Sequence, residues 1–438
     1  MKDTLRNGAY FLVMLGLIVL VGQMQSWNLA LSIVNLCLIS AVMALGVNIQ
    51  WGYAGLFNVG VMGFAALGGL AAMIISVSPV GEAWSAGGAG VLLGLLVLIL
   101  TVVAAVVGYR LMSHSQLRLL LVVLVSFTGY FLARSILDPS TTAIEKVNPA
   151  ATGYLGGMGL PILIGWPIGG LLAGGAAWVV GKITLGLRTD YLAIATLGIS
   201  EIIVAMLKNE DWMTRGVKNV TGLSRPVPYE INLQQSDWFL DLCARLQVDS
   251  ITFSSIFVKL CYAALFLLVL LVILYLSEKA LRSPWGRMMR AIRDNEVSAN
   301  AMGKDIKARH LQVFVLGSVV VGIAGAMLTT LDGQLTPASY QPLRFTFLIW
   351  VMVIVGGSGN NWGAVLGGFV IWFFWIEAEP MGVWLMDTVT STMAEDSALR
   401  AHLVNSAQHM RLATMGLILL ITLRFFPRGL IPEKTGHH

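Results

Sequence analysis

"LQVFVLGSVVVGIAGAMLTTL", residues Leu311–Leu331, contains no Asp, Glu, Lys or Arg. A helix rises 1.5 Å per residue, so about twenty such residues span the ~30 Å hydrocarbon core of a bilayer. Only a helix satisfies its own backbone inside that core, so the run reads as a membrane-crossing helix. Ile256–Leu276 repeats the pattern with one charge, Lys259, near its start. The whole 438-residue chain agrees: 57% of it is hydrophobic and 12% charged, against roughly a quarter charged in soluble domains. Apolar stretches near 8–22, 29–48, 56–76, 88–109, 117–137, 161–181, 190–207, 256–277, 311–331, 346–378 and 410–426 predict ten to twelve segments. The stretch 346–378 is too long for one simple crossing and is broken by "GGSGNNWG", Gly356–Gly363, so two segments or a re-entrant one are expected there. The expected fold is an all-α polytopic membrane protein, with some helices discontinuous.

Charge placement orients the array. Eight Lys/Arg lie within Lys279–Arg309, and cations concentrate on the cytoplasmic side of membrane proteins. With the loop 278–310 in the cytoplasm, the same side receives Lys2 and Arg6, Arg110 and Arg118, Lys182 and Arg188, and Arg424, Arg428 and Lys434. The opposite side receives short loops poor in cations; Val77–Gly87 has none. Both termini are then cytoplasmic. The net charge of +5 follows from this bias and is not a nucleic-acid signal. The chain divides as one transmembrane domain, 1–438: N-terminal helices 1–48, a first bundle portion 49–208, an outside loop 209–255, the charged loop 278–310, and C-terminal helices and tail 311–438. The N-terminus, "MKDTLRNGAYFLVMLGLIVLVGQMQSW", starts like a signal peptide but shows no small-residue cleavage site, so a retained first helix is expected. Forty-seven glycines fit helices that approach closely in lipid. Three cysteines and six histidines, including His402, His409, His437 and His438, form no ligand cluster, so neither a metal site nor a disulfide framework is expected.

The charged loop holds "RDNEVSANAMGKDIK", Arg293–Lys307. Asp294 is the expected N-cap of a short helix, with Glu296 near the positive dipole end and Gly303 as a left-handed stop. Val297, Ala299 and Ala301 belong to a body of small side chains, too short to be stable alone. It reads as a peg for a groove on another protein, with Arg287, Arg290 and Arg293 on one flank and Lys304, Lys307 and Arg309 on the other, paired with acidic groups there or with lipid headgroups. The plainer reading is a loop that only sets topology.

"SPWGRMMRAIRDNEVSANAMGKDIKARHLQVFVLGS", Ser283–Ser318, resembles the cytoplasmic coupling loop of ABC-importer permeases, with its E-A-A…G signature. Glu296 stands at the Glu, Ser298 and Ala299 near the alanines, and Gly303 at the Gly. "VNIQWGYAGLFNVGVMGFAALGG" (Val47–Gly69), Leu187–Pro228 and "VGGSGNNWGAVLGG" (Val355–Gly368) are similar, in the same order, to segments of the second membrane subunit of high-affinity branched-chain amino acid importers. The chain departs from that family where Gln-x-Ser and Gly-His often follow "GYAG"; here Leu56-Phe57-Asn58 and Val61 stand. The resemblance implies translocation of Leu, Ile and Val across a bacterial inner membrane. It implies as partners a homologous second permease, two cytoplasmic ATPase subunits, a periplasmic binding protein and the bilayer, with ATP held by the ATPases and no cofactor on this chain. The sequence has no G-x-x-x-x-G-K-[ST]; its Gly-Lys pairs are Gly181-Lys182-Ile183 and Gly303-Lys304-Asp305.

Polar residues within apolar runs are the candidates for a path. Glu201 falls near mid-membrane, where a carboxylate is expensive unless paired or wet. Asn48, Tyr53 and Asn58 with Gly52, Gly55 and Gly60, and Gly356, Gly357, Gly359, Asn360 and Asn361 in the late segment, suggest broken helices whose backbone groups could face a zwitterionic solute. The alternative is glycine for tight crossings and Asn for interhelical hydrogen bonds. In the outside loop, "SDWFLDLCARL" places Trp238, Leu242 and Arg245 at helical spacing, as an interfacial helix or a dock for a soluble binding protein. Related importers of urea, amides or other amino acids, and an ion-coupled transporter using Glu201, remain alternatives. No paired catalytic residues are evident, and the chain does not read as an enzyme.

Overall fold

The computed structural model describes residues 2–112, 115–391, 393 and 397–433, so Lys434, His437 and His438 lie outside the described residues. Lys2–Met24 (α1) and Trp27–Ala54 (α2) form a hairpin at Ser26, whose hydroxyl accepts the Leu29 N–H and caps α2. Val61–Ser76 (α3), Gly81–Leu111 (α4), Ser115–Lys146 (α5), Ile162–Thr184 (α6) and Thr189–Asn209 (α7) follow. A long connection holds Asp237–Leu246 (α8) and leads into Ser250–Arg282 (α9). Two short helices, Pro284–Asp294 (α10) and Glu296–Ala301 (α11), precede Ile306–Asp332 (α12). Pro342–Gly356 (α13), Asn361–Val389 (α14), Ala398–Asn405 (α15) and Met410–Phe425 (α16) complete the chain.

Among the described residues nine helices are long and apolar enough to cross a membrane, and a tenth crossing is formed if the bent pair α15 and α16 counts as one. The chain is therefore a multi-pass membrane protein. The shorter apolar helices α3 and α13 follow directly on breaks. The overlong stretch 346–378 resolves into α13 and α14, separated by a turn in which Gly357 and Gly359 take positive φ, 117° and 80°. The second break comes later than the early apolar run suggested, since α2 continues to Ala54 and ends at Gly55 with φ 69°.

Helices α2, α12 and α14 make the centre: 78%, 56% and 56% of their most apolar windows are buried, against 11% for each arm of the α4–α5 hairpin. Lipid tails are as apolar as leucine, so burial alone does not drive this association; close backbone contact does. The crossing of α3 and α12 shows how. A Cβ on Gly68 would collide with the Gly322 carbonyl, and one on Gly325 with the Ala65 carbonyl. The hairpin instead packs on itself and exposes Leu96, Ile99, Val103, Leu120 and Phe127.

The two ends of the bundle differ as the charge pattern required. At one end lie α10 and α11, the α2–α3 break, the α13–α14 turn and residues up to Glu433. At the other, Val80 N–H bonds Leu155 O, Leu155 N–H bonds Trp212 O, and a two-residue antiparallel ladder joins Val220–Thr221 to Gln334–Leu335. Helix α8 lies at this second end. Its buried residues are Phe239 and Cys243, with Phe239 stacked 5.6 Å from Phe253 at the start of α9, while Trp238 faces outward.

Candidate functional site

The charged loop folds as two helices. Pro284 starts α10 at its first turn, where a missing N–H costs nothing. Gly286, Met289 and Ile292 form its buried face. The chain then breaks at Asn295, with φ −155° and ψ 94°, and the Asn295 side chain accepts the Ser298 N–H at 2.9 Å. The N-cap of α11 is thus Asn295 and not Asp294. An N-cap needs extended backbone, and Asp294 is still the last helical residue of α10. The expected stop is present. Gly303 has φ 75°; its N–H reaches Asn300 O at 2.9 Å and the Lys304 N–H reaches Ala299 O at 3.3 Å. This pair of bonds is a Schellman closure. Between the caps only Ala299 is buried, while Val297 and Met302 are 81% and 79% exposed. Glu296 lines a cleft of about 180 Å³ with Gly55, Phe57, Arg293 and His310.

Arg290 and Arg293 turn inward, contrary to the expectation that they flank the peg for an outside partner. The Arg293 guanidinium donates to Gly52 O, to Glu433 at 2.9 Å and to Asp294 at 3.1 Å. Arg290 approaches Glu433 at 4.0 Å and the Leu281 carbonyl at 3.4 Å. Their reason is local: α2 ends at Ala54 with an orphan carbonyl at Gly52, and a forked guanidinium satisfies a carbonyl and a carboxylate together. Burial pulls the Arg293 pKa down, but hydrogen bonding and charge from Glu433, then Asp294, leave it above its ordinary value.

Immediately inside this layer the polar candidates form a satisfied lattice. Asn48 donates to Asn361 Oδ1 at 3.1 Å and accepts the Gly359 N–H at 2.8 Å. Tyr53 donates to the same Asn361 oxygen, and Asn361 donates to Glu278 on α9 at 3.0 Å. Asn360 caps α14 by accepting the Trp362 and Gly363 N–H groups, and donates to Pro432 O at 3.1 Å. Gly357 is packed against the Ile431 carbonyl. Asn58 donates to Gln50 at 2.9 Å and accepts the Gly60 N–H, while Gln50 donates to Phe314 O and Ser318. Asn48, Tyr53 and Asn58 are each no more than 1% exposed. These groups hold helices to one another, and Asn360 and Asn361 also border a cavity of about 540 Å³ lined by Glu278, Arg290 and Glu433. Glu201 is elsewhere. It sits on the exposed face of α7 with Ile194 and Ile202, while the adjacent Ser200 packs against Gly63.

Asn361 was among the candidates of the late segment, whereas Gln50, Glu278 and Glu433 were not singled out by the sequence. Gln50 stood inside the first quoted glycine-rich segment and could have been included with its neighbours. The pairing of Glu433 with Arg293 had no local signal.

Broken central helices and a capped short helix at the charged end mark the chain as a polytopic helical membrane protein. Residues 149–423 match the family described as "Branched-chain amino acid transport system / permease component", and the chain belongs to that family. It is similar to the High-affinity branched-chain amino acid transport system permease protein LivM of Escherichia coli (strain K12), 28% identical over 211 residues that cover 47% of this chain and 48% of that protein. It is also similar to the Probable branched-chain amino acid transport permease protein LivM of Methanocaldococcus jannaschii, 25% identical over 300 residues, 67% of this chain and 74% of that one. A third relative, the D-allose transport system permease protein AlsC of Escherichia coli (strain K12), is 25% identical over 252 residues, covering 54% and 65%. The chain spans about half the length of the Escherichia coli and Salmonella typhimurium LivM proteins it matches. No solved structure matches it.

Proposed function

We propose that this chain is one membrane subunit of an ATP-driven importer that carries leucine, isoleucine and valine across a bacterial inner membrane. A homologous second permease completes the pathway, two cytoplasmic ATPases bind ATP, and a periplasmic binding protein delivers the substrate. Family membership supports the class. The observation that carries the coupling role is the exposed, doubly capped α11, with Val297 and Met302 outward at the charged end.

The charged end is then cytoplasmic, and α11 is the contact for an ATPase. Movement of α11 is passed to α10 across Asn295, and from Arg293 to Gly52 at the end of α2 and to Glu433 beside the α13–α14 turn. The Asn48–Tyr53–Asn361–Glu278 lattice is, in this reading, the cytoplasmic seal of the path, broken when the transporter opens inward. Glu201, outward on α7, faces the second permease. Helix α8, with Trp238 exposed opposite its buried face, is a dock for the binding protein.

The test is reconstitution of the chain in nanodiscs with the proposed ATPase, second-permease and binding-protein partners. Leucine with binding protein should stimulate ATP hydrolysis, and Glu296→Arg should abolish ATPase co-purification without loss of membrane insertion. Leucine uptake into sealed proteoliposomes that persists without ATP would refute the reading and favour an ion-coupled transporter.

A further inference from the structure

A solute-sized space lies away from the seal. It is a cavity of about 230 Å³ bounded by α2, α3, α12, α13 and α14, smaller than the ~300–1,000 Å³ of drug-sized sites. Its walls are buried and mostly apolar, with Ile39, Leu348 and Met352 each no more than 3% exposed, and they include the Ser40 side chain and the Trp372 indole, whose buried N–H has no partner among the described residues. Its rim is polar. Asp332, the last residue of α12, and Ser339 are both exposed, at the end opposite the charged loop. The Asp332 carboxylate makes no hydrogen bond or ion pair with any described residue. None of the polar residues that the sequence suggested for a path lines this space.

We propose that this cavity is a binding subsite for a branched aliphatic α-amino acid, with the side chain between α2 and α13 and the ammonium at Asp332. The inference rests on the importer reading and adds a place within this chain where substrate halts. A carboxylate at the edge of a low-dielectric interior attracts a cation more strongly than one in bulk water. The substrate's own carboxylate stays on the aqueous side, where Ser339 presents a hydroxyl. Three of the lining residues, Met43, Met62 and Met352, are unbranched thioethers. Such side chains adjust to different shapes, which suits one pocket accepting leucine, isoleucine and valine.

The experiment uses the full chain in nanodiscs, without partners or ATP, and saturation-transfer NMR with leucine, isopentylamine and 4-methylpentanoate as probes. Leucine and isopentylamine should receive saturation and compete, while 4-methylpentanoate, lacking the ammonium, should not. Asp332→Asn, which keeps the size of the side chain and removes its charge, should reduce the leucine signal at least fivefold. Ile349→Trp, which fills the cavity from its wall, should remove it, with monodisperse elution as the folding control. Signals unchanged in both variants, or equal transfer to the amine and the acid, would overturn the proposal, as would a cavity held shut by a lipid acyl chain and giving no transfer. Leucine uptake by the complete transporter in cells is measured alongside. Uptake with no transfer to the isolated chain refutes this subsite alone; no uptake refutes the importer reading itself.

Discussion

Asn361 gives the sharpest test of the lattice. It is fully buried, accepts hydrogen bonds from Asn48 and Tyr53, and donates to Glu278, so it joins α2, α9 and α14 through one amide. Asn361→Ala removes three bonds at once. At the ~0.6 kcal/mol average for interhelical bonds measured in membranes, the loss is about 2 kcal/mol. Leaving the Tyr53 hydroxyl and the Asn48 amide buried without partners raises it toward ~5 kcal/mol, because each orphaned polar group costs about 1–3 kcal/mol. Tyr53→Phe removes one bond and should cost about 1 kcal/mol in the wild-type background but close to nothing once Asn361 is alanine. Reversible unfolding of the purified chain in mixed micelles, read by helical circular dichroism, measures all four corners of this cycle. A loss below about 0.5 kcal/mol for Asn361→Ala, or an equal effect of Tyr53→Phe in both backgrounds, would show that these contacts carry no energy and that the proposed seal does not exist.

Three further outcomes are expected. Gly68→Ala should block assembly of α3 on α12 and cost several kcal/mol, since backbone faces backbone there, whereas Gly175→Ala, with nothing within 4 Å of its added carbon, should stay within about 0.5 kcal/mol in the same unfolding assay. Glu433→Gln weakens the Arg293 pair at 2.9 Å and should reduce leucine-stimulated ATP hydrolysis in the reconstituted transporter without changing ATPase co-purification; unchanged stimulation would sever the coupling route. Val297→Asp, at an 81% exposed site, should leave chain stability within about 0.5 kcal/mol yet abolish ATPase co-purification, and retained association would remove α11 from the interface.

The helices were legible because lipid demands long, charge-free segments, and Leu311–Leu331 shows this in its letters alone. The ends of α11 were legible to within one residue. Gly303 announces itself, since a left-handed position favours glycine, but Asp294 and Asn295 are both good caps and only the break in α10 chooses between them. The roles of the polar residues were less legible. Asn48 and Asn58 read equally well as solute contacts or as interhelical ties, and the choice depends on Gly359 and Gln50, which composition does not place. Glu201 shows the opposite limit. Depth along a helix follows from counting residues, but the face it occupies depends on which side α7 turns to its neighbours.

The two glycine- and asparagine-punctuated segments, near Val47–Gly69 and Val355–Gly368, meet in space as the two sides of one joint. Asn48 on the first bonds the Gly359 N–H on the second, and the close approach of Gly52 to Gly359 leaves no room for a side chain on Gly52. A break in a buried helix exposes backbone donors and acceptors that lipid cannot satisfy. Placing two breaks face to face lets each supply what the other lacks: the Asn48 amide oxygen accepts the Gly359 N–H of the turn, and the remaining Gly52 carbonyl takes Arg293. That last bond comes from α10, which leads through Asn295 directly into the exposed peg. A displaced Arg293 would leave the Gly52 carbonyl and Glu433 unpaired together, which makes the joint stable in one arrangement and costly in any intermediate one. Such a joint suits two discrete states of the central helices, set by whatever holds α11.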